Sequence, residues 1–211
     1  QEAGVAMSLK RHNIVAATAL TLGGLALMWV LTLALDNVWY RMAAFYVFAI
    51  PAALLGVKLD WKAIFRFRWQ HALIGLVAAG ALYGLGWVGV RLIHAVLPDL
   101  AGEIGDTYGM LDDAPKFWVW PLLVFVIVGE ETVWRLAVTL AFADRFKVWG
   151  VAAGAFAFAL VHLPWGPPLL LVAALVFGAC WSAIAFKTRS FWASFIAHLG
   201  WDVLIMFVLR Y

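Results

Sequence analysis

The chain has few charged residues and only one cysteine. Of its 211 residues, 13% are charged and 66% are hydrophobic, whereas a soluble domain is about one quarter charged and about half apolar. This composition excludes an ordinary soluble domain and indicates an integral membrane protein, with the lipid bilayer as its first partner. Cys180 alone cannot form an intrachain disulfide or a cysteine metal cage. No basic stripe or nucleic-acid motif is present, so DNA and RNA are not expected partners.

Strict alternation of apolar and polar residues is also absent, which favours helices over an outer-membrane barrel. The lengths of the apolar runs predict an all-α, polytopic transmembrane bundle of about seven spans in a single domain, residues 13–211. The predicted spans are 13–35, 39–57, 71–97, 116–143, 148–163, 168–186 and 191–209. Residues 1–12 are predicted to be a cytoplasmic amino-terminal segment, in which 1–6 are expected to be an expression scar before a native start at Met7.

The basic residues lie beside alternate spans, and this pattern predicts orientation. With seven spans, one side of the membrane receives the basic clusters 10–11, 58–68, 145–147 and 187–189, and the other side receives Asp36 and the acidic segment 98–115. The positive-inside rule then places the amino terminus in the cytoplasm, and a bacterial inner membrane is the expected location. Segment 58–70 suits a helix on the cytoplasmic surface, and segment 98–115 suits a flexible outer loop or lid. Gly80 and Gly84 are predicted to let two helices approach closely.

Charge reappears in the middle of the fourth predicted span, as Glu130, Glu131 and Arg135. A charged residue at this depth costs roughly 2.5–3.5 kcal/mol on insertion scales, so such residues usually mark function. On an α-helix Glu131 and Arg135 are four residues apart and share a face, which favours an ion pair between them. Glu130 lies about 100° away and is left for chemistry. A purely structural ion network is the alternative.

Two later spans carry further polar residues. His162 ends the apolar run of the fifth span, at a depth similar to that of the two glutamates. His198 and Asp202 are four residues apart on the last span, so the aspartate can orient or charge-stabilise the imidazole.

Three motifs on these spans resemble those of the CAAX protease and bacteriocin-processing family, also called Abi proteins. The family signatures are Glu-Glu-x-x-x-Arg, Phe-x-x-x-His and His-x-x-x-Asn or Asp. In this chain they are residues 130–135, 158–162 and 198–202, and the resemblance covers roughly residues 117–209.

The resemblance implies a glutamic intramembrane endopeptidase that needs no metal or cofactor. In that scheme Glu130 and His162 activate a water molecule, His198 and Asp202 stabilise the oxyanion, and Glu131 and Arg135 support the site. Some members carry Asn where this chain has Asp202, and an ionised Asp cannot donate a hydrogen bond. The predicted position of these residues nearer the outer half of the bilayer, beside the acidic segment 98–115, favours a membrane-anchored or exported protein as substrate. The resemblance adds processing of a carboxyl-terminal sorting or anchor segment as one hypothesis.

Two alternatives stay open at the level of sequence. Glu130, Glu131, His162, His198 and Asp202 are also suitable ligands for a metal such as zinc, which would make the protein a metal-dependent protease. A proton-coupled transporter or a non-enzymatic immunity protein would also place Glu and His within the membrane.

Overall fold

The computed structural model describes residues 2–211, with side chains from Met7 onward, and the regular secondary structure of this part of the chain is entirely helical. It contains ten α-helices, two π-helices and one 3-10 turn. The α-helices are α1 (Glu2–Ala34), α2 (Val38–Gly56), α3 (Trp61–Ile64), α4 (Trp69–Val96), α5 (Gly102–Asp112), α6 (Val119–Glu130), α7 (Thr139–Phe146), α8 (Trp149–His162), α9 (Pro168–Thr188) and α10 (Phe191–Val203). The 3-10 turn is Pro98–Leu100; we call Glu131–Val138 the central π-helix and Leu204–Val208 the terminal π-helix. The all-α prediction is confirmed.

Five helical segments are long and apolar enough to cross a membrane: Met7–Ala34, Val38–Gly56, Trp69–Val96, Pro168–Thr188 and Phe191–Val208. They correspond to the first, second, third, sixth and seventh predicted spans. The predicted count of about seven is not confirmed. The fourth predicted span is divided into α6, the central π-helix and α7 and contains three charges within six residues. The fifth is α8, whose 14 residues extend about 21 Å, less than the roughly 30 Å of a bilayer core.

Local sequence explains where several of these helices begin and end. The Asn37 side chain accepts hydrogen bonds from the backbone N–H groups of Trp39 and Tyr40, which caps the start of α2. Pro168 occupies the first position of α9, where its missing N–H costs nothing. Arg189 follows α9 with φ of 47°, a left-handed conformation that turns the chain toward α10.

The basic clusters meet at one end of the bundle, which we call the basic end (residues 10–13, 56–68, 144–147 and 187–192). Three contacts join these segments: Asn13 Nδ2 donates to the Lys58 carbonyl (2.9 Å), Trp192 Nε1 donates to the Phe65 carbonyl (2.9 Å), and Arg189 pairs with Asp144 (2.8 Å). The predicted grouping of basic clusters is therefore present in the fold. Which end faces the cytoplasm stays a prediction.

The opposite, acidic end (residues 35–39, 98–116, 167–169 and 209–211) is covered by α5. The expectation of a flexible loop at 98–115 is wrong, because the 3-10 turn and α5 occupy most of it. The helix is held at both ends: Glu103 Oε2 accepts from the Leu169 N–H (2.8 Å), the Leu111 carbonyl accepts from Trp39 Nε1 (3.1 Å), and Asp112 forms a two-pronged ion pair with Arg210. Hydrogen bonds from Arg210 lower the pKa of Asp112. The segment 58–70, predicted as a surface helix, forms only the four-residue helix α3.

The central π-helix is the most buried element of the fold. All eight of its residues are buried, and Trp134, Arg135 and Leu136 have no exposed surface. The backbone N–H and the hydroxyl of Thr139 both donate to the Trp134 carbonyl five residues earlier, which is the π-helical pairing. Trp134 Nε1 donates to the Tyr46 hydroxyl of α2 (2.9 Å). The fold thus packs α1, α2 and α6–α10 around this one segment.

Close helix packing uses other glycines than the predicted pair. No atom lies within 4 Å of a Cβ placed on Gly80 or Gly84, so the prediction that they allow a close approach is wrong. Both glycines lie on an exposed face of α4. The face that packs on α10 carries Gly75 and Ala79 instead, and a Cβ on Gly75 would lie 2.8 Å from Cβ of Ile196.

This difference predicts opposite effects of the same substitution on one helix. Gly75→Ala is expected to lower the free energy of unfolding by about 1–3 kcal/mol, the usual cost of overpacking. Gly80→Ala is the matched control and is expected to leave stability unchanged or raise it by up to about 1 kcal/mol, because alanine is the better helix former. Thermal unfolding of both variants in detergent measures the contrast. Equal unfolding temperatures would contradict the assigned α4–α10 contact.

Candidate active site

The polar residues singled out in the sequence converge in the middle of the bundle. Glu130 is the last residue of α6 and Glu131 the first of the central π-helix; His162 ends α8, and His198 and Asp202 lie on α10. Glu130, Glu131, Arg135, His162 and His198 are each between 0% and 6% exposed, and the Asp202 side chain is 16% exposed. Residues far apart in sequence therefore form one buried polar cluster.

His198 is the centre of this cluster. Its Nδ1 donates to Glu131 Oε1 (2.8 Å), and its Nε2 lies 3.5 Å from Glu130 Oε2 and 3.9 Å from Asp202 Oδ2. Only the first of these is a hydrogen-bond distance. The bond to Glu131 fixes which nitrogen carries the donated proton and turns Nε2 toward the other two carboxylates.

The predicted pairing of Glu131 with Arg135 is confirmed, but Arg135 is not the sole partner of Glu131. The pair exists, with Arg135 Nε 3.5 Å from Glu131 Oε1, but the same oxygen accepts the hydrogen bond from His198. The segment is also a π-helix and not the α-helix on which the angular argument was based. Glu131 thus joins Arg135 to His198. The predicted His198–Asp202 pair is the longer contact at 3.9 Å.

The Arg135 guanidinium packs against aromatic rings. It lies 3.8 Å from the Phe158 ring centroid and 5.3 Å from that of Trp181. Among the residues that the structure describes, none accepts a hydrogen bond from its three nitrogens. Cation–π attraction and the ion pair with Glu131 therefore offset the cost of burying this charge.

His162 is oriented by its own helix. Its Nδ1 donates to the Phe158 carbonyl (2.7 Å), which leaves Nε2 without a proton and able to accept one. The ring contacts Phe158 edge-on and lies beside Trp165. Within the described residues, no hydrogen bond joins His162 to Glu130. The two predicted water-activating residues therefore share a site without a direct bond.

Two aromatic residues of the site had no role in the sequence predictions. Trp181 of α9 stacks on His198, with ring centroids 3.6 Å apart and planes inclined by 21°. Phe158 supplies both the carbonyl that orients His162 and the ring beneath Arg135. Phe158 stands in the second motif, so its residue type was visible in the sequence. Trp181 lies in none of the three motifs, so nothing in the sequence distinguished it from the other tryptophans of the chain, which has 13 in all.

A cavity of about 390 Å³ lies beside the polar cluster, and only some residues of the cluster line it. Glu130, His162, His198 and Asp202 line the cavity, whereas Glu131 and Arg135 do not. Most of its other lining residues are apolar. The four residues that face the cavity are in a position to contact a substrate, and the other two lie behind them.

The positions of the acidic and histidine side chains can be compared with the arrangement that a metal site needs. No set of three or more His, Cys, Asp or Glu side chains in the described part of the chain converges as a metal site would require. The arrangement is instead one imidazole between carboxylates and a second, separately oriented imidazole.

Comparison with known proteins shows a family similarity over these residues. Residues 113–204 match the family model described as type II CAAX prenyl endopeptidase Rce1-like. The match contains Glu130, Glu131, Arg135, His162, His198 and Asp202. Searches of curated proteins and of solved structures find no match. Over residues 113–204 the chain is therefore similar to the Rce1-like CAAX endopeptidases, which are part of the CAAX protease and bacteriocin-processing (Abi) family.

Proposed function

We propose that this protein is a glutamic intramembrane endopeptidase that hydrolyses a peptide bond of a membrane-associated or exported protein. One observation carries the proposal: Glu130, His162, His198 and Asp202 line the same cavity, whereas Glu131 and Arg135 do not. A site that activates water requires its acidic and histidine side chains to line a cavity that a substrate can enter. A structural ion network alone has no such requirement. The family match supports the reaction class.

In the proposed reaction Glu130 takes a proton from a water molecule, and the resulting hydroxide attacks the peptide carbonyl carbon. His162, with an unprotonated Nε2, accepts a hydrogen bond from the same water and orients it. The carbon–nitrogen bond then breaks, and the proton passes from Glu130 to the departing amine. General acid–base catalysis of this kind contributes typically about 10²–10⁴-fold to the rate.

In its imidazolium form, with a proton on each nitrogen, His198 is the proposed donor to the oxyanion: Nδ1–H is bonded to Glu131, and Nε2–H is free to donate. Its ring is fixed from two sides, by the bond from Nδ1 to Glu131 and by the stacked Trp181. A donor held in place within an apolar cavity stabilises developing negative charge more than one in water does. An ionised Asp202 accepts but does not donate, so its contribution passes through His198.

The proposed setting follows from the two ends of the bundle. In agreement with the positive-inside rule, the proposal has the basic end facing the cytoplasm and α5 facing outside, in a bacterial inner membrane. The cavity extends from the polar cluster toward α5, which favours a substrate anchored in the membrane or exported through it. Processing of a carboxyl-terminal sorting or anchor segment fits this geometry.

Glu130→Gln tests the proposed base. Gln keeps the shape of the side chain but cannot take the proton, so cleavage is expected to fall by about 10²-fold or more with the thermal unfolding of the protein unchanged. Membrane and secreted proteins of a deletion strain expressing either form identify the substrate, and purified protein then gives the rate. Cleavage by Glu130→Gln at the wild-type rate would overturn the proposal.

Glu131→Gln is an equally conservative change at the neighbouring residue. It is expected to slow cleavage much less than Glu130→Gln does. Its amide oxygen still accepts the proton of His198 Nδ1, but a neutral bond replaces one to a charged group. A hydrogen bond to a neutral acceptor is weaker than one to a charged acceptor by about 1 kcal/mol, so cleavage is expected to be roughly five- to tenfold slower. If Glu131→Gln were as inactive as Glu130→Gln, the division between a reacting and a supporting glutamate would be wrong.

Metal removal distinguishes the two protease mechanisms. Cleavage is expected to persist after incubation with a strong chelator, and added zinc is not expected to increase it. Loss of activity with the chelator and recovery with metal would establish the metal-dependent alternative. Glu130-dependent proton uptake by proteoliposomes, without any peptide cleavage, would instead indicate a transporter.

A further inference from the structure

The charge of the chain is divided unequally between the two ends of the bundle. The basic end carries ten Lys and Arg residues and two Asp residues, a formal charge of +8, whereas the acidic end has a formal charge of −4. The whole chain has a net charge of only +3. A surface with so much charge of one sign attracts molecules of the opposite sign.

Four of these basic residues lie in the connection 57–68, between two candidate membrane spans. The helical segments Val38–Gly56 and Trp69–Val96 on either side of it are long and apolar enough to cross the membrane. A short connection that begins and ends at span boundaries stays at the level of the lipid headgroups. We call Lys62, Arg66 and Arg68, whose side chains are all exposed, the basic strip.

Aromatic packing holds the backbone of this strip against the start of α10. Trp192 Nε1 donates to the Phe65 carbonyl (2.9 Å), and the Phe65 ring lies 5.0 Å from the Phe191 ring. The Phe67 ring contacts Trp192 edge-on, with ring centroids 5.3 Å apart. The residues on both sides of Arg66 are thus fixed, so this arginine belongs to a defined backbone and not to a free loop.

The cations of the basic strip have no acidic partner in the fold. Within the described residues no ion pair involves the strip, whereas Arg189 at the same end pairs with Asp144 (2.8 Å). Asp60 is the single acidic residue of the connection, and its side chain accepts a hydrogen bond from the Ala63 N–H at the start of α3. The strip therefore offers three cationic groups to a ligand from outside the chain.

Exposed aromatic rings lie on both sides of Arg68 in the sequence. Phe67 is 57% exposed and Trp69 is 64% exposed. Aromatic rings favour the boundary between the lipid headgroups and the acyl chains, and an arginine between two such rings lies close to the lipid phosphates. An acidic protein or a soluble phosphate compound would leave both rings in water, so a phospholipid fits this surface better.

We propose that the basic strip is a binding site for the phosphate headgroup of an anionic phospholipid. Arg66 and Arg68 donate to the phosphate oxygens, which guanidinium groups bind in a two-pronged manner, and Lys62 adds a compact positive charge. The acyl chains of the same lipid lie along Phe67 and Trp69. This site is separate from the buried polar cluster, and lipid binding there does not require the proposed reaction.

A lipid bound at the basic strip also acts on α10. Phe191 and Trp192, the residues that hold the strip, are the first two residues of that helix, and His198 lies further along it. A ligand that binds the folded strip but not the unfolded chain stabilises the fold. Anionic lipid therefore stabilises the packing of α10 against the connection 57–68.

Native mass spectrometry of the whole chain in detergent tests the site. Detergent removes the lipid leaflet, so a lipid attracted only by diffuse charge is lost with it. The probe is phosphatidylglycerol, and phosphatidylcholine is the zwitterionic comparison. One phosphatidylglycerol per protein is expected to bind at least about tenfold more tightly than phosphatidylcholine, because the polybasic surface attracts anionic lipid. Equal affinities of the two lipids would overturn the proposal.

Two variants with the same loss of charge locate the bound lipid. Arg66→Gln with Arg68→Gln is expected to weaken phosphatidylglycerol binding by at least about tenfold, because two phosphate donors are lost. Lys10→Gln with Arg11→Gln removes two exposed cations of α1 at the same end. It is expected to change binding by less than about twofold, because cations outside the site act only through screened attraction. Equal losses in the two variants would show diffuse attraction and would overturn the site.

A soluble competitor distinguishes a lipid from a free anion. Inorganic phosphate at millimolar concentration is expected to leave phosphatidylglycerol bound, because it lacks the acyl chains that contact the exposed rings. Displacement of the lipid by inorganic phosphate would show that the strip takes a free anion and would overturn the lipid site. No step of this test uses cleavage, so its outcome is separate from that of the proposed function.

Discussion

The site depends on one hydrogen bond, from His198 Nδ1 to Glu131 Oε1. It joins the last long helix to the most buried segment of the chain, across 67 residues of sequence. The bond holds the imidazole in one orientation, and the stacked Trp181 prevents the ring from tilting. Without it, neither nitrogen of His198 would have a fixed direction toward the cavity. The distances from Nε2 to Glu130 and Asp202 follow from this single contact.

The surrounding helices make a buried charge cluster tolerable. Arg135 has no hydrogen-bond acceptor among the described residues, yet the Phe158 and Trp181 rings and the carboxylate of Glu131 surround it. Aromatic faces attract a cation without accepting hydrogen bonds. The same Phe158 orients His162 through its carbonyl. Aromatic residues thus support both histidines of the site as well as the arginine.

Residue types were better predictors of the site than helical geometry was. The motifs identified all six polar residues of the cluster, because charged groups and histidines at this depth have few structural explanations. The Glu131–Arg135 pair is present as predicted, but it lies on a π-helix instead of the expected α-helix, and Glu131 has His198 as a second partner. The link from Glu131 to His198 and the stacking of Trp181 depend on how α9 and α10 pack, and no local pattern encodes that packing.

Some features of the fold were likewise predictable from the sequence, and others depended on how distant segments pack. Long apolar runs predicted the five segments that are long enough to span a membrane, because apolar length is a direct physical requirement of the bilayer. Segment 98–115 resembled a loop because of its glycines and acidic residues. It folds as α5 because Ile104, Tyr108 and Leu111 face the cavity, while Glu103 and Asp112 find partners in distant parts of the chain. Gly80 and Gly84 had the spacing of a packing motif but lie on the exposed face of α4.

The long sequence separation between Glu131 and His198 also governs how the protein is made. A ribosome adds about 5–20 residues per second, so the 67 residues between the two partners take roughly 3–13 s to synthesise. During that interval the central π-helix enters the membrane with its carboxylates unpaired by the histidine, and the imidazole that completes the cluster does not yet exist. The polar cluster is therefore completed only after α10 has been synthesised and has packed against the central π-helix.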